Sequence, residues 1–377
     1  MLDSLYIKNY RNLQALTISS LSRVNLIIGK NNTGKSTILE AIAIYASKGD
    51  LNLIYELISE RGENFKVTEA NKNATEANMR TFSSLFSNRI VSFEHEEAIS
   101  IGNVEASLFG LQQSTEKLIS LRFIRYFDEI QRDSQTITSR KRILIDGEEL
   151  NKQFVNFKVG LEIRVGQDSY LLPLDEDRPM RFGFKGLGNN ERVQFIRTRN
   201  IDKAINGKLW DNITLTEKEQ FVIDALKIIE PSTERIAFIE ENLRERTSVI
   251  KLSNSNRVFP LRSMGDGINR ILTIILALVN SDNGFLLIDE FENGLHHTVQ
   301  EQLWEIIFQL SQRLNVQVFA TTHSEDCIIG FENTLNNNSN LLGGKLIRLD
   351  NINGIIKQVE FNANELRIAN DYNIEIR

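Results

Sequence analysis

Apolar positions recur between Leu5 and Ile18 on both sides of a turn-like break at Asn9 to Asn12, with Leu5 and Ile7 before it and Leu13, Leu16 and Ile18 after. That pattern predicts two short strands. Val24 to Ile28 is a short apolar run, the mark of a buried strand, and it leads straight into a glycine-containing loop. From Ser36 to Ala46 apolar residues fall on most faces, as in a helix covered all round. These pieces form one strand-loop-helix unit. Residues 54–85 are largely polar and read as helical or loose. From 88 to about 174 the chain alternates like β structure, at Ile90-Val91, Leu118 to Phe127, Ile143 to Ile145 and Val159 to Leu172, with a hairpin turn at Gly166-Gln167-Asp168-Ser169. Thr216 and Glu219 have the spacing of a capping box, which predicts a helix to about Ile229, ahead of Pro231. Ile236 to Ile239 and Ser248 to Leu252 read as a second hairpin. After Pro260 the pattern predicts a helix at Gly267 to Asn280, a buried strand at Phe285 to Asp289, an amphipathic helix at Thr298 to Leu314 and a strand at Val316 to Ala320. Residues 54–250 lack the sustained heptads of a long coiled coil.

Four segments carry chemistry. Gly29-Lys30-Asn31-Asn32-Thr33-Gly34-Lys35-Ser36 fits G-x-x-x-x-G-K-[ST] in full, between a strand and a helix. Its glycines let backbone N–H groups cradle phosphates, Lys35 serves the β and γ phosphates, and the Ser36 hydroxyl suits Mg²⁺. The helix start adds its positive end, and Asn31, Asn32, Thr33 and Thr37 belong to the same nucleotide-binding set. Phe285 to Glu290 is an apolar strand closed by two acids. Asp289 is placed to hold Mg²⁺ and Glu290 to deprotonate an attacking water. His323, after a third strand and Thr321-Thr322, reads as a γ-phosphate contact, the alternative being a structural histidine. Ser263-Met264-Gly265-Asp266 precedes an apolar helix and reads either as a plain helix start or as a second anion site, through Ser263 and Gly265.

Composition narrows the setting. With 377 residues, 41% hydrophobic and 25% charged, the chain has the make-up of a folded protein with a substantial core. Its most apolar stretch, Ile271 to Val279, is too short to cross a membrane. The start shows no signal-peptide pattern, so a cytoplasmic location is expected. Cys327 is the single cysteine, which excludes an internal disulfide and disfavours a zinc cluster. A net charge of −6 leaves DNA possible as a partner but unsupported. Arg140-Lys141-Arg142 reads as a solvated turn between strands, and Arg192, Arg197 and Arg199 are open to either reading.

Together, in this order, the motifs resemble the ABC-class ATPases of the SMC, RecF and Rad50 kind. Leu5 to Leu13 looks like their first strand and turn, Gly29 to Ser36 like Walker A, and Ser263 to Asp266 like the signature. Phe285 to Glu290 is similar to Walker B, Glu292 to His296 to the D-loop, and Thr322-His323-Ser324 to the switch histidine. The chain is also similar to bacterial AAA-15/AAA-21-like ATPases and to the ATPase half of the overcoming-lysogenization-defect nucleases. It departs from a transport ATPase in Ser-Met-Gly-Asp, in His296 where an Asp is usual, and in a Q-loop glutamine that Gln112 and Gln113 supply poorly. The resemblance implies an α/β fold: an ABC-type P-loop NTPase head with an N-terminal antiparallel β layer and an inserted mixed α+β arm or lid. The core is expected from residues 1–50 and 255–345, the insert from 51–254, and a tail from 346–377. It also implies that ATP and Mg²⁺ are used at the interface of a homodimer or higher homo-oligomer, where Ser263 and Gly265 act on the partner's nucleotide. The residues after His323 are too few for a TOPRIM nuclease, so the expected partner is a separate effector, a nuclease or toxin, in an anti-phage or toxin–antitoxin-like module. The alternatives are a RecF-like DNA-repair ATPase and a slow ATP-gated scaffold.

Overall fold

The computed structural model describes residues 1–64, 73–107, 110–133, 136–145, 157–175, 193–198, 203–242, 245–337, 343–362, 365–366 and 368. Its strands are β1 (Leu5–Tyr10), β2 (Leu13–Ile18), β3 (Val24–Gly29), β4 (Ile99–Ser107), β5 (Gly110–Asp133), β6 (Thr136–Ile145), β7 (Lys158–Val165) and β8 (Asp168–Pro173). They continue with β9 (Val193–Ile196), β10 (Thr233–Asn242), β11 (Glu245–Leu252), β12 (Val258–Pro260), β13 (Phe285–Ile288), β14 (Gln317–Thr321), β15 (Gly344–Ile352) and β16 (Ile355–Phe361). The helices are α1 (Lys35–Ala46), α2 (Leu51–Glu60), α3 (Ala74–Ser83), α4 (Lys203–Asp211), α5 (Lys218–Leu226), α6 (Asp266–Val279), α7 (His297–Arg313) and α8 (Glu325–Asn337).

The central sheet runs β16-β15-β3-β14-β13-β9 and is parallel except for β16. A parallel sheet covered on both faces needs continuous apolar runs, and β3, β13 and β14 supply them. Alternate residues serve opposite cores. Val24, Leu26 and Ile28, with Leu286 and Ile288, join the core that holds α6, α7 and α8. Ile27, Phe285, Leu287 and Phe319 join the core that holds α1. On the first side Phe291 stacks on Trp304 at 4.0 Å. On the second, Ile38, Leu39 and Ile42 of α1 share a core with Ile7, Ile101 and Ile163 of a seven-stranded antiparallel sheet, ordered β2-β1-β4-β5-β7-β8 with β6 beside β5. The P-loop helix is therefore packed between two sheets, which is why it is apolar all round. A third sheet, β10-β11-β12, joins the first core through Ile236 and Ile250.

Several boundaries differ from the sequence expectation. The antiparallel layer begins at the N-terminus, but most of its strands lie between 99 and 173, inside the expected insert. β9, also in that range, is a strand of the central sheet beside β13, pairing Ile196 with Ile288. The expected tail beyond 345 starts inside β15, which pairs with β3 from Gly344↔Val24 to Leu349↔Gly29. Main-chain pairing decides these memberships, and short alternating strands do not advertise their partners. Arg140-Lys141-Arg142 lies within β6, not in a turn, with side chains outside the described residues. α5 is shorter than expected, and Glu219 accepts a hydrogen bond from the Leu215 N–H at 2.8 Å rather than closing a box on Thr216.

Candidate nucleotide-binding site

The loop from Gly29 to Ser36 joins the end of β3 to α1. Gly29 has φ 143°, and a Cβ there would lie 2.5 Å from the Leu349 carbonyl oxygen, so only glycine fits. Gly34, at φ 90°, is the α1 N-cap, and no side chain closes the helix start. Its N–H end is left for an anion. Lys35 is buried, and its Nζ donates to the carbonyls of Gly29 at 2.7 Å and Lys30 at 2.9 Å. Burial lowers its pKa to about 8, against the opposing pull of Asp289, Glu292 and Glu290. The Thr33 hydroxyl donates to the Lys30 carbonyl at 2.8 Å and pins the loop from within. Asn31 to Thr37 line a cleft of about 940 Å³ together with Glu290, His323 and, on the far wall, Arg11, Arg61 and Arg89.

Asp289 follows β13, and its N–H donates to the Ile196 carbonyl at 2.8 Å. Its Oδ1 accepts from the Ser36 hydroxyl at 2.9 Å and the Thr321 hydroxyl at 2.7 Å. The Thr198 hydroxyl stands 3.5 Å from Oδ2. Hydroxyl and carboxylate side by side are hard oxygen donors of the kind Mg²⁺ takes beside phosphate and water. Among the described residues no group of three or more His, Cys, Asp or Glu forms a metal cage, so substrate oxygens would complete such a site. Glu290 has φ 50°, a left-handed backbone. Its N–H donates to the Thr321 hydroxyl at 2.9 Å, and its carbonyl accepts from Arg270 Nη2 at 2.9 Å. Glu292 accepts from the His323 N–H and the Thr322 hydroxyl, both at 2.7 Å, and so shapes the turn that carries His323.

Ser36, Lys35, Asp289, Glu290 and His323 thus converge. Ser263 and Gly265 do not join them. Ser263 sits in a short 3₁₀ turn and donates to the Pro260 carbonyl at 2.7 Å. Gly265 is exposed, with open space where a Cβ would stand. His296 caps α7 by accepting from the Thr298 N–H. Gln112 and Gln113 lie in β5, their side chains outside the described residues. Arg197 is paired with Glu56 at 2.8 Å and with Glu60, and is not part of a free basic patch; Arg192 and Arg199 lie outside the described residues. The sequence reading missed Arg270, Thr198, Thr321 and the role of Glu292. Arg270 had a signal: a lone cation in the most apolar helix is buried only with a purpose.

Residues 24–327 match the AAA-21 family, described as "AAA domain, putative AbiEii toxin, Type IV TA system". The chain belongs to this family. It is an ATPase of the AAA/ABC type. A protein of Helicobacter pylori named "ATP/GTP phosphatase" is 22% identical over 350 residues, covering 87% of this chain and 86% of that protein. Among solved structures, the SmcHead bound to the C-winged helix domain of ScpA aligns over 96% of this AAA-21 protein and 97% of its own chain, at 12% identity and a TM-score of 0.49. The SMC head domain from Thermotoga maritima aligns over 96% and 99%, at 13% identity and a TM-score of 0.45. No helix among the described residues is long and apolar enough to cross a membrane.

Proposed function

We propose that this AAA-21 ATPase hydrolyses ATP in a Mg²⁺-dependent reaction at the interface of two copies of the chain. The observation that carries the reading is the convergence of Lys35, Ser36 and Glu290 in one cleft, with Asp289 hydrogen-bonded to Ser36 beside it, while Ser263 and Gly265 stay outside it and exposed. Loop N–H groups from 29–36 and the Lys35 charge bind the β and γ phosphates. Ser36 and Asp289 would hold Mg²⁺, which when bound neutralises phosphate charge. Glu290 accepts a proton from the attacking water as the new P–O bond forms and ADP leaves. His323, on the turn set by Glu292, faces the same cleft and contacts the γ phosphate. The name of the Helicobacter relative supports phosphate release. The exposed Ser263–Gly265 turn closes the partner's site, since neither residue lines the cleft at its own P-loop.

The family description supports a place in a toxin–antitoxin-like or anti-phage module, with this chain as the ATPase and a separate protein as the nuclease or toxin. The pairing of Arg197 and the net charge of −6 favour a protein partner over DNA. Glu290→Gln tests the core of the reading. Loss of a general base costs about 10²–10⁴ in rate, while the phosphate-binding groups are untouched. The variant is expected to bind MgATP, release phosphate slowly and elute as a larger species on sizing with MgATP. Native turnover in Glu290→Gln would remove Glu290 from the role of base.

A further inference from the structure

Arg270 lies in the first half of α6 and is 1% exposed, followed by a run of apolar residues broken only by Thr273. Its Nη2 donates to two consecutive carbonyls, those of Asp289 at 3.1 Å and Glu290 at 2.9 Å. Its Nε and Nη1 are buried with no hydrogen-bond partner among the described residues. A buried guanidinium with unused donors is a poor device for stability: an apolar side chain of similar size is usually neutral or better there. Its position calls for another explanation.

That explanation is next door. Glu290 has φ 50°, a conformation that L-residues adopt only under constraint from their surroundings. Contacts at both ends of the residue supply the constraint, and main-chain bonds share in it: the Asn293 N–H donates to the Glu290 carbonyl at 3.1 Å and the Phe291 N–H to the Thr321 carbonyl at 2.9 Å. The Thr321 hydroxyl receives its N–H at 2.9 Å, and Arg270 holds its carbonyl. Because Cβ direction follows φ and ψ, fixing the two flanking peptides fixes the direction in which the Glu290 side chain leaves the backbone, and so the range its carboxylate can reach. We propose that Arg270 is a positioning residue, whose guanidinium clamps the Asp289 and Glu290 carbonyls and so aims the Glu290 carboxylate at the attacking water. This rests on Glu290 being the general base.

The test compares native protein, Arg270→Met, Arg270→Lys, Glu290→Gln and the Arg270→Met/Glu290→Gln double variant in steady-state ATP hydrolysis, MgATP binding and thermal melting. A misaimed catalytic group costs up to about 10²-fold, so kcat of Arg270→Met is expected to fall about ten- to hundredfold with its MgATP Kd unchanged and its melting point not lowered. Arg270→Lys, which keeps a charge but not the planar fork, should recover part of that loss. In the Glu290→Gln background Arg270→Met should cost nothing more, because the group it aims is gone. Native kcat in Arg270→Met beside an inactive Glu290→Gln overturns the clamp, and so does a further large loss in the double variant. Native turnover in Glu290→Gln overturns the base assignment and the clamp with it. If Arg270→Met does not fold, Arg270→Lys carries the test: reduced kcat at unchanged Kd supports the clamp, and native kcat overturns it.

Discussion

Gly29→Ala should be the most damaging single methyl in the P-loop. The added Cβ would meet the Leu349 carbonyl oxygen at 2.5 Å and the Thr33 hydroxyl at 2.9 Å, at a φ of 143°. The carbonyl cannot step aside, because Leu349 pairs with Gly29 in the central sheet and its strand is held in register over six residue pairs. Backbone strain costs about 1–3 kcal/mol and overpacking against a fixed neighbour about 1–3 kcal/mol, so the expected loss is roughly 2–6 kcal/mol. Gly34→Ala meets only side chains, Leu13 Cδ2 at 3.0 Å and Asn12 Nδ2 at 3.2 Å. These can yield, which leaves mainly the backbone term of about 1–3 kcal/mol. Gly265→Ala has a positive φ but no neighbour within 4 Å, so it isolates the conformational cost. Urea unfolding of the three variants should rank Gly29→Ala as the least stable and Gly265→Ala as the mildest. Nucleotide binding should be weakened in the first two and kept in the third. Equal destabilisation by Gly29→Ala and Gly265→Ala would refute the argument that contact with β15 makes this glycine obligatory.

Two further outcomes follow from the site. With the Lys35 pKa at about 8 in the free protein, against the ordinary 10.5, nucleotide affinity should weaken as pH rises through about 8. Lys35→Ala should bind weakly at every pH and remove that dependence. The sign for folding is opposite: between about 8 and 10.5 the unfolded chain holds more protons, so the Lys35 contribution to stability improves with rising pH and its penalty is complete below 8. Mixing Lys35→Ala with Ser263→Arg protein should restore activity by giving each heterodimer one intact composite site, and phosphate release that stays flat at every mixing ratio would count against the shared site.

The parts of the fold legible in the sequence are those whose chemistry demands neighbouring residues. Gly29 to Ser36 must be contiguous to wrap a phosphate, and Phe285 to Glu290 must be a buried strand ending in acids. Both announce themselves because the parallel strands beneath them are covered on two faces. β9 and β15 lack such marks. Val193–Ile196 is four residues long, and its place beside β13 follows from hydrogen bonds to residues almost a hundred positions away. Glu292 shows the same limit at the level of the site. From sequence it is a second acid after Glu290 and so a reserve candidate for the base. In the structure both its oxygens are engaged by the Thr322-His323 turn, so its carboxylate is already committed to shaping that turn. The spacing of acids gives the candidates; the hydrogen bonds show which of them is tied up as a support.

The same distinction explains why the expected border at residue 50 is not a border in three dimensions. The wall of the cleft facing the P-loop is built from both sides of it. Arg11, at the end of β1, is 6% exposed at its side chain and pairs with Glu40 of α1 at 2.8 Å and with Glu63 at 2.7 Å. Arg61 pairs with the other oxygen of Glu40 at 2.7 Å, Arg89 with the other oxygen of Glu63 at 2.6 Å, and the Tyr10 hydroxyl donates to Glu40 at 3.0 Å. Removing Arg11, buried between Glu40 and Glu63, should cost about 3–5 kcal/mol, since its partners are left without compensation, while Arg61 and Arg89, at 39% and 63% exposed, add little. The network ties the loop after α2 and the segment after α3 to the P-loop helix itself. Movement of Arg61, Glu63 or Arg89 relative to α1 therefore requires these pairs to exchange partners or open, and the cleft they line changes shape when they do. The segment read as an inserted arm thus lines, through Arg61, Glu63 and Arg89, the same cleft as the P-loop.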